Sequence, residues 1–422
     1  MALPLIALAL GAFVIGTSET AVMGLLPEMT RDFGVPVGQG GHIIAAYALG
    51  VVLGAPALTA LTIRLSRKLV LVGALALFLA GNLAVLMAPD LITVLVARFL
   101  TGLPHGLFLG AATILATRIA RPGQQATAVA RVLIGTTTAN IIGLPAATFL
   151  GQVFGWRTAF AVVTVLAVLA LIAVAVFTPS VTTREPVNLR RETRSLGKAP
   201  VVLALSTTVV VMAGLMMVYC FIAPILSEGA GVPSNSVPIV LALYGIGTML
   251  GALVIGPLAD RALRPALYTA LVLLTVTLLV FRAAMGSPWL AMGALVLLGI
   301  AAFSVNTCVQ LLVIRAGGTA PTMAAAVNHS AFSLATTAAS VLGGAALGFG
   351  LDYTALPVIG AVVVLAGLAV AVAAGRSARR VPTIVIESPA PARAVPALEY
   401  VRVIDQTGHL TPVSAPLAPA SL

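Results

Sequence analysis

Four ionisable side chains sit where they are least expected, inside long apolar stretches: Glu19 in the first, Arg98 and His105 in the fourth, and His329 in the eleventh. A charge at the centre of a membrane helix costs about 3 kcal/mol or more, so such residues mark proton relays, ion paths or counter-ions. With the first stretch ending near Leu26, Glu19 and Arg98 each lie seven residues from the same face. At about 1.5 Å of rise per residue, both are expected roughly 10 Å below it, a depth that allows a carboxylate–guanidinium pair. A carboxyl holds its proton more firmly when buried and less firmly beside a cation. Motion of Arg98 relative to Glu19 would therefore release or capture a proton. The competing reading is a permanent ion pair that only fixes helix packing. His105 falls about two turns further along a similar face. It either relays protons or contacts a ligand, or it packs as a neutral, hydrogen-bonded ring.

Uncharged polar residues in the same stretches are candidates to line a cavity: Tyr47, Thr137, Asn140, Asn306, Gln310, Asn328 and His329. Asn140 follows the run Thr136-Thr137-Thr138, a stripe suited to hydrogen bonding a neutral ligand. Threonines in membrane helices also bond carbonyls one turn back, and helix–helix hydrogen bonds explain the amides equally well. Arg282 reads as a snorkelling side chain. Cys220 and Cys308 read as small buried thiols, with no disulfide or metal spacing. There is no phosphate-cradling lysine loop and no zinc-type histidine pair. No covalent chemistry, cofactor or metal is implied: the chain is expected not to be an enzyme and to draw on a proton gradient.

The elements that must hold these residues are membrane helices. The chain is 60% hydrophobic and 8% charged, with a mean hydropathy of +1.12, against about 25% charged residues in soluble domains. The net charge of +11 does not indicate nucleic acid, because the basic residues form short runs between apolar stretches and aromatics to stack on bases are few. Stretches of about 20 apolar residues span a bilayer. Twelve are read: 3–26, 42–62, 69–88, 91–117, 132–150 and 158–177, then 201–226, 237–258, 266–285, 289–314, 322–347 and 356–374. The first lacks a basic n-region and is longer than a signal-peptide core, so it reads as a membrane helix.

The halves repeat at an offset of 197 residues. Gly34-Val35-Pro36 matches Gly231-Val232-Pro233, and Tyr47-x2-Gly50-x3-Gly54-Ala55 matches Tyr244-x2-Gly247-x3-Gly251-Ala252. The expected architecture is all-α and integral to the membrane: two pseudo-symmetric six-helix lobes, residues 1–177 and 201–374, joined by a polar linker, 178–200. Carriers with parallel repeats bind substrate between the halves near the midplane. Glu19, Arg98 and His105 map onto Met216, Leu295 and Ala302, which predicts that the first lobe handles protons while the second shapes the cavity. Basic residues crowd alternate connections, placing both termini in the cytoplasm of a plasma-membrane protein. Residues 375–422, rich in Pro and Ala, are expected to form a mobile cytoplasmic tail, although Leu398–Asp405 alternates like a short strand.

Gly16-Thr17-Ser18-Glu19 followed by Met23-Gly24-Leu25-Leu26-Pro27, together with Ala97-Arg98-x3-Gly102-x2-His105-Gly106, resembles the major facilitator superfamily. Within it, the chain looks most like the twelve-helix drug:proton antiporters of the chloramphenicol-resistance and arabinose-efflux branch. Thr20 stands where that branch usually has an aromatic. The family's loop motif is matched in the second half by Gly256, Asp260, Arg261 and Arg264. In the first half Thr59 and Ile63 replace the Gly and Asp, leaving Arg64, Arg67 and Lys68. The resemblance implies that these loops clasp helices on the cytoplasmic side and gate rocking. Gly135, Gly143, Pro145 and Gly151 resemble a relaxed form of the helix 5 antiporter motif.

These observations lead to an expected proton-coupled exporter of a small neutral or weakly polar compound, an amphenicol-type drug or toxic metabolite, working by alternating access. Sugar efflux is the alternative within the class, and a non-transporting membrane receptor or partner-binding protein is the alternative outside it. The expected partners are substrate, protons and the lipid bilayer, not nucleic acid, with the chain acting as a monomer.

Overall fold

A computed structural model describes residues 2–62, 64–121, 124–180, 199–317, 321–379, 401–404 and 410–413. Twelve of its helices are long and apolar enough to cross a membrane. They are α1 (Ala2–Asp32), α2 (Val37–Thr62), α3 (Arg67–Leu86), α4 (Leu91–Ile119), α5 (Thr127–Phe154) and α6 (Trp156–Phe177). The second set is α7 (Ala199–Tyr219), α8 (Ser234–Arg261), α9 (Leu263–Ala284), α10 (Pro288–Ala316), α11 (Val327–Gly348) and α12 (Tyr353–Ala373). Every span expected from the sequence is present. The largest departures are α7, which ends at Tyr219 rather than near 226 and gives way to a short helix and a π turn, and α1, which continues past Pro27 to Asp32. Glu19 therefore lies 13 residues from the far end of its helix, about 20 Å, near the midplane rather than 10 Å below the surface.

The repeat is visible in how glycines seat the helices. Gly50 lies against the Phe99 carbonyl and Gly54 against Leu103; at the 197 offset, Gly247 lies against the Val296 carbonyl and Gly251 against Ile300. The α2–α4 and α8–α10 crossings thus share one residue-for-residue contact scheme, in which absent side chains let backbones touch. The turns repeat as well: Gly34 after α1 and Gly231 before α8 have φ of 64° and 66°, a conformation costing about 1–2 kcal/mol for a residue with a Cβ. Gly34→Val and Gly231→Val are each expected to lower stability by about that amount. Thermal unfolding in detergent checks this, and equal melting of both variants with the native chain would refute it.

The lobes meet through pairs related by the same symmetry. α2 packs along α11, with Gly38 against the Gly344 carbonyl and Gly41 against that of Ser340. α8 packs on α5, where Gly245 approaches Asn140 and Ile141. The buried core runs through both repeats, and residues 1–371 form one compact unit. α8 meets α5 through a π-helical turn, Ala139–Gly143, and the half beyond it, Leu144–Phe154.

Residues 372–422 form a second unit. Its described residues include a two-stranded antiparallel ladder, Val401–Ile404 against Leu410–Val413. The strand expected around Leu398–Asp405 is thus present over part of that range, while the mobility expected of the rest of the tail falls on residues outside those described. Most of the linker, 181–198, also lies outside them.

Candidate functional site

The site is built on α1. Helix α5 runs parallel to α1 at a constant register: Gly135, Gly143 and Gly151 face Ala9, Thr17 and Leu25, and Gly16 faces Ala139. A Cβ at Gly135 would meet the Ala9 backbone carbonyl, and one at Gly143 the Thr17 side chain. The helix 5 glycines, with buried Pro145 just past the π turn, therefore seat α5 directly on the helix carrying Glu19.

Glu19 is partly exposed, and its nearest ionisable neighbour is His105, with Nδ1 3.9 Å from Oε2. Tyr47 of α2 shares a 2.8 Å hydrogen bond with the same His105 nitrogen. Helix α4 breaks at Leu103-Pro104, and its second half begins at His105. The histidine is therefore aimed by a kink, not by the continuous helix face expected from the sequence. The phenol and the imidazole are hydrogen-bonded, while the carboxyl stands just beyond hydrogen-bonding distance of the imidazole, so the three groups form a titratable cluster that a small approach of Glu19 would join.

Arg98 departs from expectation. It is fully buried, yet its guanidinium does not pair with the Glu19 carboxylate. Nη1 donates instead to the carbonyl and hydroxyl oxygens of Ser18, at 3.0 and 3.2 Å. The Ser18 hydroxyl in turn donates to Oδ1 of Asn82 on α3, at 2.9 Å. The Tyr47 ring lies 4.3 Å from the guanidinium and Phe160 lies 5.8 Å from it. The carboxylate and guanidinium still interact through space, one helix position apart. Depth matching placed the two groups together, but helix rotation decided which atoms meet.

The second lobe completes the cluster. His329, exposed on α11, comes within electrostatic reach of Glu19 and His105. Tyr219 donates to Oδ1 of Asn140 at 3.4 Å, linking α7 to α5 across the lobes. Tyr219 also packs against Tyr244, with ring centroids 5.0 Å apart, and Tyr244 is the repeat mate of Tyr47. The ionisable set is thus not confined to the first lobe, because His329 faces it from the second.

Other candidates are deployed differently. Asn328 is buried within the second lobe, accepting from Thr208 at 2.8 Å and donating to Gln310 at 3.0 Å. Asn306 is half-buried and makes no hydrogen bond among the described residues. The hydroxyls of Thr136, Thr137 and Thr138 bond carbonyls one turn back. Both cysteines are buried free thiols. Among the described residues Asp260, Arg261 and Arg264 make no ion pair with one another; Arg64 is exposed, Arg67 and Lys68 are half-buried, and Gly256 faces open space. A cavity of about 470 Å³, lined by Glu28, Arg31, Gln152 and Glu228 together with apolar residues such as Phe149 and Val153, lies near the far end of α1. Glu28 is nine residues beyond Glu19, about 14 Å away.

Sequence reading missed Ser18, Asn82, Tyr219 and Tyr244 as members of the site. Asn82 carried a signal, as an amide inside an apolar stretch. Tyr244 carried one as the repeat mate of Tyr47. Ser18 and Tyr219 are identified only by their contacts.

Comparison with known proteins agrees with the fold. The Major Facilitator Superfamily model matches residues 8–346. The chain is 36% identical over 87% of its length to the inner membrane transport protein YdhP of Escherichia coli K12, covering 94% of that protein. It is 31% identical over 82% of its length to a chloramphenicol resistance protein of Streptomyces lividans, covering 90% of it. Its fold matches the crystal structure of a D-xylose–proton symporter with a TM-score of 0.68 at 15% identity, over 87% of this chain and 96% of that one. From its repeat, its twelve spans and these matches, the chain belongs to the Major Facilitator Superfamily.

Proposed function

We propose that this membrane transporter exports a small neutral or weakly polar organic compound in exchange for protons, by rocking its two lobes. The observation that carries the reading is Glu19. It is a carboxyl near the midplane on the helix that packs against both α5 and the turn after α7, and histidines of both lobes stand around it. A titratable group between lobes feels a different field when they separate, which couples its proton to their position. Tyr47, Asn140, Tyr219 and Tyr244 offer hydroxyls, an amide and flat apolar faces, chemistry suited to an uncharged, partly aromatic ligand. The similarity to a chloramphenicol resistance protein supports an amphenicol as the first compound to try. With both termini cytoplasmic, the glycine seam of Gly38, Gly41 and Gly344 lies on the side away from the cytoplasm. The motif loops lie on the cytoplasmic side in this reading.

The experiment is accumulation of labelled chloramphenicol in cells with and without the chain, each with and without a protonophore. The expected result is lower accumulation in expressing cells, abolished by the protonophore. Equal accumulation in all four would remove amphenicols as substrates, and export that survives the protonophore would remove proton coupling.

A further inference from the structure

Most hydroxyls within the spans bond a carbonyl of their own preceding turn, as Thr20 does with Gly16, Thr101 with Ala97 and Thr148 with Leu144. Ser18 does not. Its hydroxyl crosses to Asn82 on α3 and, having given away its proton, presents its lone pairs to Arg98. Asn82 is held for this by its own amide, which donates to the Phe78 carbonyl at 2.9 Å. The three residues are all fully buried. Arg98 is nonetheless under-satisfied, since Nε and Nη2 have no hydrogen-bond partner among the described residues. A buried guanidinium with idle donors is costly unless those donors find an acceptor. The nearest anionic one is the carboxyl on the residue after Ser18.

We infer that Ser18 and Asn82 form a latch that holds Arg98 on the α1 backbone and away from the Glu19 carboxylate. With the latch closed, Arg98 contributes only a through-space field, and Glu19 keeps its proton among His105 of α4, Tyr47 of α2 and His329 of α11, the other titratable groups that face it. With it open, the idle face of the guanidinium turns onto the carboxylate, stabilises the charged form and expels the proton. Arg98 is then a switched counter-ion, and Ser18 and Asn82 are positioning residues that touch neither proton nor substrate. Because the latch joins α1, α3 and α4, a small rotation of α1 within its lobe is enough to open it. This inference rests on Glu19 being the coupling carboxyl, which transport by Glu19→Gln tests separately.

The test needs no substrate. Purified full-length protein is titrated by infrared difference spectroscopy, the Glu19 carboxyl band being the one lost in Glu19→Gln. In Ser18→Ala, which leaves Nη1 only the backbone carbonyl of that residue, the pH at which that band is half lost is expected to move toward acid by up to about one unit, the effect of a cation brought closer to a carboxylate. Asn82→Leu should move it in the same direction by less, and Ser18→Thr, which keeps the hydroxyl, should leave it in place. Adding Arg98→Gln to Ser18→Ala should cancel the shift. Thermal unfolding shows which variants are folded, and two independent lesions guard against one failing. Native-like titration of folded Ser18→Ala and Asn82→Leu would overturn the latch, as would the absence of any Glu19-dependent titrating band. Failure of chloramphenicol transport alone would overturn the substrate and leave the latch standing.

Discussion

Cells expressing Glu19→Gln are expected to accumulate chloramphenicol to the level of cells lacking the transporter, with the protein still present in the membrane in native amount. The amide keeps the size and hydrogen-bonding capacity of the side chain but cannot exchange a proton, so downhill proton flow is disconnected from uphill export. Exchange of bound substrate down its own gradient needs no proton and should survive. Loss of export together with retained exchange would locate the defect in coupling. His105→Gln and Tyr47→Phe, which remove the two groups beside the carboxyl, should weaken export without abolishing it. Full export by Glu19→Gln would sink the coupling assignment, whatever the substrate. Loss of export and exchange together would mean that Glu19 shapes the cavity rather than carrying the proton.

The second large effect concerns the repeat. Gly50→Leu and Gly247→Leu should each destabilise the protein by about 1–3 kcal/mol or more, in the upper range for overpacking, because each new Cβ meets a backbone carbonyl with no rotamer to yield. The two are 197 residues apart and make equivalent contacts with α4 and α10, so their effects should be similar in size. Gly256→Ala is the control: it faces open space within α8, and should be neutral or stabilising by up to about 1 kcal/mol. Unfolding of the three purified variants in detergent compares them directly. A tolerated leucine at either close-packed glycine would refute the equivalence of the two crossings.

Much of this was legible before any coordinates, for physical reasons that hold along the chain. Hydrocarbon demands internally satisfied backbone, so apolar runs of sufficient length must be helices. All twelve spans follow from that rule, including α4, whose kink at Leu103-Pro104 leaves its length intact. The 197-residue offset dictated that α2–α4 and α8–α10 would be built alike, and Gly50 and Gly247 show that they are. The rarity of charge in the spans picked out Glu19, Arg98, His105 and His329.

What the sequence could not decide is rotation about helix axes and the break within a helix. A one-residue difference turns a side chain by about 100°, so depth alone placed Arg98 level with Glu19 while the fold seats it on Ser18. The kink at Pro104 aims His105 at Glu19 and Tyr47, and a π turn at Ala139–Gly143 brings Asn140 to Tyr219 of the other lobe. Composition and periodicity determined a two-lobed membrane carrier and its ionisable set, because those depend on the cost of polar groups in lipid. Tertiary packing alone decided which of those groups meet and through which atoms, because that depends on angles a linear pattern does not encode.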